Sequence, residues 1–127
     1  MKHLAQKTCF IVLFLLGVIL GHAQCTVDCV WPGDANNNGI ANNLDFIFAG
    51  LIQATGGPSR SAGEQGVDWN PKTAPNWSGN FQTIGGVNHK YADANGDGFI
   101  DGVDLYAVND VYDSINASFT GLMGNAI

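Results

Sequence analysis

The sequence predicts a small, mainly α-helical domain with two loop–helix repeats joined by a long, irregular insertion. Three observations support this class. The chain of 127 residues allows one small domain. A pattern rich in Asp, Asn and Gly occurs twice, and each copy is followed by apolar residues at helical spacing. With 17 Gly, 13 Asn and 10 Asp, the chain is unusually rich in turn formers and oxygen donors.

The charge balance excludes several classes of function. Charged residues make up 13% of the chain, with 11 acidic against 5 basic residues and a net charge of -6. A chain this poor in Lys and Arg cannot present a basic surface to phosphates. We therefore expect neither nucleic-acid binding nor electrostatic docking on anionic membranes.

The N-terminus has the three-part pattern of a secretory signal peptide. Residues 1–7 carry two lysines, residues 8–20 form an apolar run, and Ala23 ends a short stretch with small residues at the cleavage places. The apolar run is shorter than the roughly 20 residues that span a bilayer. We predict cleavage after Ala23, no membrane association of the mature chain, and a secreted, extracellular or cell-surface location. Loss of Lys2 and Lys7 leaves three bases against 11 acids, a net charge of -8.

Two cysteines remain in the short N-terminal segment 24–30. In an exported chain, Cys25 and Cys29 are expected to form a disulfide, although the loop it closes is very small. A zinc site lacks partners, because His89 is the only histidine left after cleavage.

The repeated pattern matches the ligand spacing of a calcium loop. Ca²⁺ takes six to eight oxygens, and a 12-residue loop supplies them from places 1, 3, 5, 7 (through its carbonyl), 9 and 12, with Gly at place 6. We call residues 34–45 the first loop and residues 93–104 the second loop. The first-loop ligand places hold Asp34, Asn36, Asn38, Ile40, Asn42 and Asp45, and the second-loop places hold Asp93, Asn95, Asp97, Phe99, Asp101 and Asp104. A metal-free Asx turn before a helix is the alternative for one copy, but two copies favour two Ca²⁺ ions.

The loops are not expected to bind equally well. The second loop has carboxylates at places 1, 5, 9 and 12, whereas the first has them only at places 1 and 12. Because ligand charge raises affinity, we predict tighter binding at the second loop. Ile100, at place 8, is expected to turn into the core.

A helix is predicted after each loop, with its apolar residues on one face. Gly56-Gly57-Pro58 is expected to stop the first helix. The apolar sets are Ile47, Phe48, Leu51 and Ile52 in the first helix, and Leu105, Val108, Val111, Tyr112 and Ile115 in the second.

These two segments, together with the stretch from Trp31 to Asn36, resemble the paired calcium repeats of type I dockerin domains in secreted proteins of Bacteroidetes-type bacteria. The resemblance implies a domain over residues 31–116 that folds around two Ca²⁺ ions. It also implies docking onto a cohesin-type partner, often in polysaccharide-degrading assemblies. Two departures concern the partner: equivalent places lie 59 residues apart, and places 10 and 11 hold Asn43-Leu44 and Gly102-Val103, where many dockerins carry Ser-Thr.

The insertion, residues 53–90, is rich in Gly, Pro, Ser and Asn, and a C-terminal tail covers residues 117–127. We expect an ordered loop whose aromatic residues cover the core, with short strands around residues 66–69 and 81–87. The alternative is a carbohydrate-binding face on which Trp69 and Trp77 stack against sugar rings.

Catalysis has little support, and we expect no enzyme activity. Most acids are assigned to the loops, and His89 has no nucleophile in a recognised pattern. The leading hypothesis is an exported calcium-binding module that docks onto a cohesin-like or other secreted protein. The alternative is a calcium-stapled structural protein of the matrix or cell surface that associates with itself.

Overall fold

A computed structural model of the chain describes residues 25–82 and 85–115. The predicted signal peptide and the predicted C-terminal tail lie outside the described residues. Within the described part of the chain, neither helix has the length and apolar character that crossing a membrane requires.

Among residues 25–82 and 85–115, the regular elements are two helices of equal length and one small hairpin. Helix α1 is Asn43–Leu51 and helix α2 is Gly102–Asp110. Strands β1 (Asn80–Phe81) and β2 (Val87–Asn88) pair antiparallel, with Asn80 opposite Asn88. Short 3-10 segments occupy Ala62–Glu64 and His89–Ala92. Helical content is 29%, so the expectation of a mainly helical fold holds only in part.

The described part of the insertion, residues 53–82 and 85–90, is ordered, but its strands differ from the expected ones. The hairpin lies near the strand position expected at 81–87, whereas residues 66–69 form bends and no strand. These residues do not pair with another strand. Instead, the backbone N–H of Gly66 donates to the carbonyl of Asn95 in the second loop.

The two repeats interlock through the chain that follows each helix. Ile40 of the first loop forms an antiparallel bridge with Ile115 after α2, and Phe99 of the second loop bridges Gly56 after α1. The Ala54 N–H donates to the Ile100 carbonyl, just as the Asp113 N–H donates to the Ala41 carbonyl. In each case the second pair of residues follows from the first by a shift of 59 positions, upward for one residue and downward for the other. The repeat seen in the sequence is therefore also a repeat of the structure.

Both helices end in the same way. Helix α1 stops at Leu51, before the Gly56-Gly57-Pro58 stretch that was expected to stop it. Two residues past each end cap, Ala54 (φ 67°) and Asp113 (φ 63°) adopt the left-handed conformation. This turn ends the helix and directs the chain onto the opposite loop.

The core lies between the helices and the hairpin. Ile100 is fully buried there, as predicted. Phe48, Ile52 and Leu105 pack against a cluster of buried residues, which consists of Ala35, Ala49, Trp77, Phe81, Ala92 and Ile100. The prediction of a single apolar face on α1 was wrong: Ile47 and Leu51 are exposed, because the row of Phe48 and Ile52 faces the core instead. Helix α2 ends at Asp110, so Val111, Tyr112 and Ile115, which were expected on its apolar face, lie beyond the helix. Val108 and Val111 are buried, whereas Tyr112 and Ile115 are exposed.

The three tryptophans do not form a common surface for sugar stacking. Trp77 is only 5% exposed, and its Nε1–H donates to the Pro58 carbonyl at 3.1 Å. Trp69 packs against Trp31 instead, with 5.2 Å between ring centroids. Trp77 therefore serves the core, and the arrangement does not support a carbohydrate face built from Trp69 and Trp77.

The N-terminal segment is attached to the second repeat. A disulfide joins Cys25 and Cys29 in the structure. Within this small ring, the Asp28 carboxylate accepts a hydrogen bond from the Tyr91 hydroxyl. It also forms an ion pair with the Lys90 ammonium, with 2.8 Å between Oδ2 and Nζ. These donors hold the pKa of Asp28 below its ordinary value.

Candidate metal centres

Each helix begins inside its loop, at place 10, and not after the loop as predicted. The sequence provides the caps. Asn42 and Asp101, at place 9, are the N-cap residues of α1 and α2, and their side chains accept from the backbone of the first turn. Asp45 and Asp104, at place 12, complete capping boxes by accepting the N-cap N–H. The predicted ligand places are therefore also the places that start the helices.

Six side-chain hydrogen bonds recur at equivalent places in the two loops. The place-12 carboxylate accepts the N–H groups of places 3 and 9, and the place-1 carboxylate accepts that of place 6. The side chains of places 3, 5 and 9 each accept the N–H two residues further on. This network folds both loops inward around the carboxylates of places 1 and 12.

The glycine at place 6 is required by the turn. Gly39 (φ 88°) and Gly98 (φ 89°) both adopt a conformation that L side chains rarely take. At Gly98 a Cβ would also come within 2.7 Å of the Gly57 carbonyl oxygen. The sequence criterion for a calcium loop thus has a direct structural cause.

The carboxylates at places 1 and 12 are buried in both loops. Asp34, Asp45, Asp93 and Asp104 are at most 2% exposed. Burial raises the pKa of Asp34 to about 7 and that of Asp104 to about 6, and it raises the pKa of Asp45 and Asp93 as well. Within each loop, the second buried carboxylate raises the pKa further. Two buried acids facing each other need a cation or protons.

The remaining ligand places contribute oxygens of other kinds. In the described residues, no three side chains of His, Cys, Asp and Glu form one cluster. Each loop instead combines two buried carboxylates with amide and carbonyl oxygens, and in the second loop with Asp97 and Asp101, which are less buried. The place-7 carbonyls of Ile40 and Phe99 accept no backbone hydrogen bond from another described residue. Such an all-oxygen donor set fits a hard cation such as Ca²⁺, and Ca²⁺ would supply the charge that the buried carboxylates lack.

One residue at the second loop was missed at the sequence level. Arg60, in the insertion, is 3% exposed and lies against the backbone of the second loop. Its Nη2 donates to the Asp93 carbonyl at 3.0 Å and also to the Ala94 carbonyl. The only sequence signal is Gly96 at place 4, where the first loop has Asn37. A glycine there leaves room for a neighbour, but it does not identify which one.

No family model, curated protein or solved structure matches this chain.

Proposed function

We propose that this chain is an exported calcium-binding module, similar to a dockerin, in which two Ca²⁺ ions stabilise paired loop–helix repeats that bind another protein. The observation that carries the proposal is the recurrence of one hydrogen-bond network in two loops, each around two buried carboxylates. An Asx turn alone explains a capped helix, but it gives no reason to bury two acids together.

Calcium binding would be coupled to folding. In the metal-free chain, the carboxylates at places 1 and 12 repel each other and have lost their hydration. A bound divalent cation removes both penalties, so it favours the folded state by mass action.

Melting curves test this coupling on the mature chain, residues 24–127. We expect EDTA to lower the Tm markedly and added CaCl₂ to restore it. The matched control is the same chain with Asp34, Asp45, Asp93 and Asp104 all changed to Asn, whose Tm should not respond to calcium. Identical Tm values for the unmodified chain in EDTA and in excess calcium contradict the proposal.

Exposed apolar side chains on both helices support a protein partner. Leu51 is 69% and Tyr106 is 74% exposed, and Leu44, Ile47 and Val103 are also exposed. Leu44 and Val103 occupy place 11 of their loops, next to the helix start. Apolar surface of this kind marks interaction sites, and calcium would hold the two helices in a fixed relation. The partner would be a cohesin-like or other secreted protein.

Self-association is the alternative use of the same surface, as in a calcium-stapled matrix or surface protein. Sedimentation of the mature chain in calcium separates the two. A monomer that captures a secreted protein, with capture lost in the double variant Ile47→Asp and Tyr106→Asp, supports docking. Calcium-dependent oligomers that this double variant abolishes support self-assembly.

A further inference from the structure

We propose that Arg60 is a built-in counter-cation of the second loop, which stabilises that loop without metal and limits its affinity for Ca²⁺. The inference rests on the proposed function and adds a residue that sets the affinity of one site. It starts from a contact between the insertion and the second loop that has no equivalent among the described contacts of the first loop.

The chain around Arg60 runs along the second loop. Backbone N–H groups of Gly57, Arg60 and Gly66 donate to carbonyls of the loop at 2.8–2.9 Å. The Arg60 side chain then turns back onto the start of the loop, where its Nη2 reaches the carbonyls of places 1 and 2. Arg60 is thus held to the second loop by hydrogen bonds from both its backbone N–H and its guanidinium group.

Gly96 makes this approach possible. A Cβ on Gly96 would lie 2.1 Å from Nε and 2.6 Å from Cζ of Arg60. The equivalent place in the first loop holds Asn37, which has a similar positive φ of 54° but is exposed. Both loops turn the same way at place 4, and only the second has an arginine packed over the turn.

The charge of Arg60 acts on the carboxylates that would bind the metal. Burial lowers the pKa of Arg60 and raises that of Asp93, and the opposite charges of the guanidinium and of the carboxylates of Asp93 and Asp104 act against these shifts. An arginine cannot shed its proton in a protein, so the charge persists when a cation binds. Nε and Nη1 of Arg60 have no hydrogen-bond partner among the described residues. Among the described residues, its hydrogen bonds therefore go to neutral loop carbonyls, and the nearby carboxylates act on it through their charge.

Two opposite effects follow. Without metal, Arg60 offsets repulsion between Asp93 and Asp104 and holds the loop in its folded shape. With Ca²⁺ present, the same positive charge repels the ion. The second loop should then bind calcium less tightly than its four carboxylates alone imply, and it should lose less structure when calcium is removed.

Calorimetric titration with CaCl₂ tests this in the mature chain with Asp34→Asn, which weakens the first loop and isolates the second. Arg60→Met removes the charge and keeps much of the length, and we expect roughly tenfold tighter binding. Arg60→Lys keeps the charge, and its affinity should stay within about threefold of Arg60. Lys72→Met is the matched control, because Lys72 is a mostly buried cation of the insertion that pairs with Asp68; it should leave binding unchanged.

Metal-free stability supplies the second readout. Arg60→Met should lower the Tm more in EDTA than in saturating calcium, whereas a purely structural residue lowers both equally. If Arg60→Met is unfolded in EDTA, Arg60→Gln, which keeps an amide donor, carries the same test. Unchanged or weaker calcium binding by the folded neutral variant overturns the inference. Absence of any calcium binding by the chain with Arg60 intact instead overturns the proposed function.

Discussion

The two loops share one backbone design but differ in what surrounds their buried acids. In both, the side chains of places 1, 3, 5, 9 and 12 tie the loop to itself and to its helix through the same hydrogen bonds. The first loop has two carboxylates and an exposed Asn37 at place 4. The second has four carboxylates, with Arg60 packed over Gly96.

The difference between the loops shows that their backbone shape and their charge environment are determined by different parts of the sequence. The shape of each loop follows from local residue types, because short Asx side chains and one glycine suffice to make the turns. The charge environment follows from the long connection between the repeats, which covers the second loop. Loops of similar sequence can therefore bind one ion with different affinities and respond differently to its removal.

The largest expected effect comes from removing the buried acids of one loop. Asp93→Ala with Asp104→Ala should weaken calcium binding more than Asp34→Ala with Asp45→Ala, because the second loop carries more ligand charge. We expect the second-loop pair to reduce affinity at that site by more than about 100-fold, which corresponds to roughly 2.7 kcal/mol. Isothermal titration of both double variants checks this. A larger loss from the first-loop pair would reverse the proposed order of the two sites.

Acidity should affect the metal-free and calcium-bound chains in opposite directions. The folded-state pKa is about 7 for Asp34 and about 6 for Asp104. Both lie above the roughly 3.9 of an unfolded Asp, so the folded metal-free chain binds protons more tightly than the unfolded chain. In EDTA, the free energy of unfolding should therefore rise by about 2 kcal/mol as the pH falls from about 8 to about 6. In calcium it should fall, since protons compete with the metal.

Urea unfolding at several pH values measures these slopes. Asp34→Asn should remove most of the rise near pH 7 in EDTA, whereas Asp104→Asn should remove the part at lower pH. A metal-free chain that loses stability on mild acidification contradicts this electrostatic account of the loops.

The glycine at place 4 gives a matched pair of variants. Gly96→Ala places a Cβ against Arg60 at a φ of 82°, so we expect a loss of about 2 kcal/mol in the free energy of unfolding. Asn37→Ala meets a similar φ in the open first loop and should lose only about 0.5–1 kcal/mol. Chemical unfolding in EDTA compares them. Equal losses in the free energy of unfolding would mean that the Arg60 side chain can move away from residue 96 at no cost and does not stabilise the second loop.

The smallest expected effect concerns the residues at place 9, where helix capping and metal binding can be distinguished. Asn42→Ala and Asp101→Ala each remove an N-cap, so in EDTA each should lower stability by about 1 kcal/mol. In calcium, Asp101→Ala should lower it further than Asn42→Ala, because a carboxylate near the ion is lost as well. Melting curves of both variants in each buffer check this, and the same difference in both buffers would argue against a role for Asp101 at the metal.

The sequence predicted the parts of this fold that depend on local pattern. The presence of a helix at the end of each loop and the inward turn of Ile100 follow from residue spacing that one repeat contains in full. An aromatic cover of the core by the insertion was also expected. Trp77 and Phe81 supply it, whereas Trp69 packs against Trp31.

Other features depend on partners distant in the chain. Both apolar rows of α1 consist of large apolar residues, so the helix sequence alone does not select the row that faces inward. Phe48 of the inner row packs against Phe81 of the hairpin, with 5.3 Å between ring centroids. The exchange of bridges between the repeats and the packing of Arg60 over Gly96 join residues 36 or more apart, and no local pattern encodes them.

The most direct test of the central claim is the number of calcium ions bound by residues 24–127, the chain that the predicted cleavage would leave. Native mass spectrometry of residues 24–127 in calcium acetate should show a dominant species with two Ca²⁺ ions. The species should lose one ion when Asp34 and Asp45 are changed to Asn, and the other when Asp93 and Asp104 are changed. A chain that carries no calcium above the level of the four-Asn variant would contradict the account.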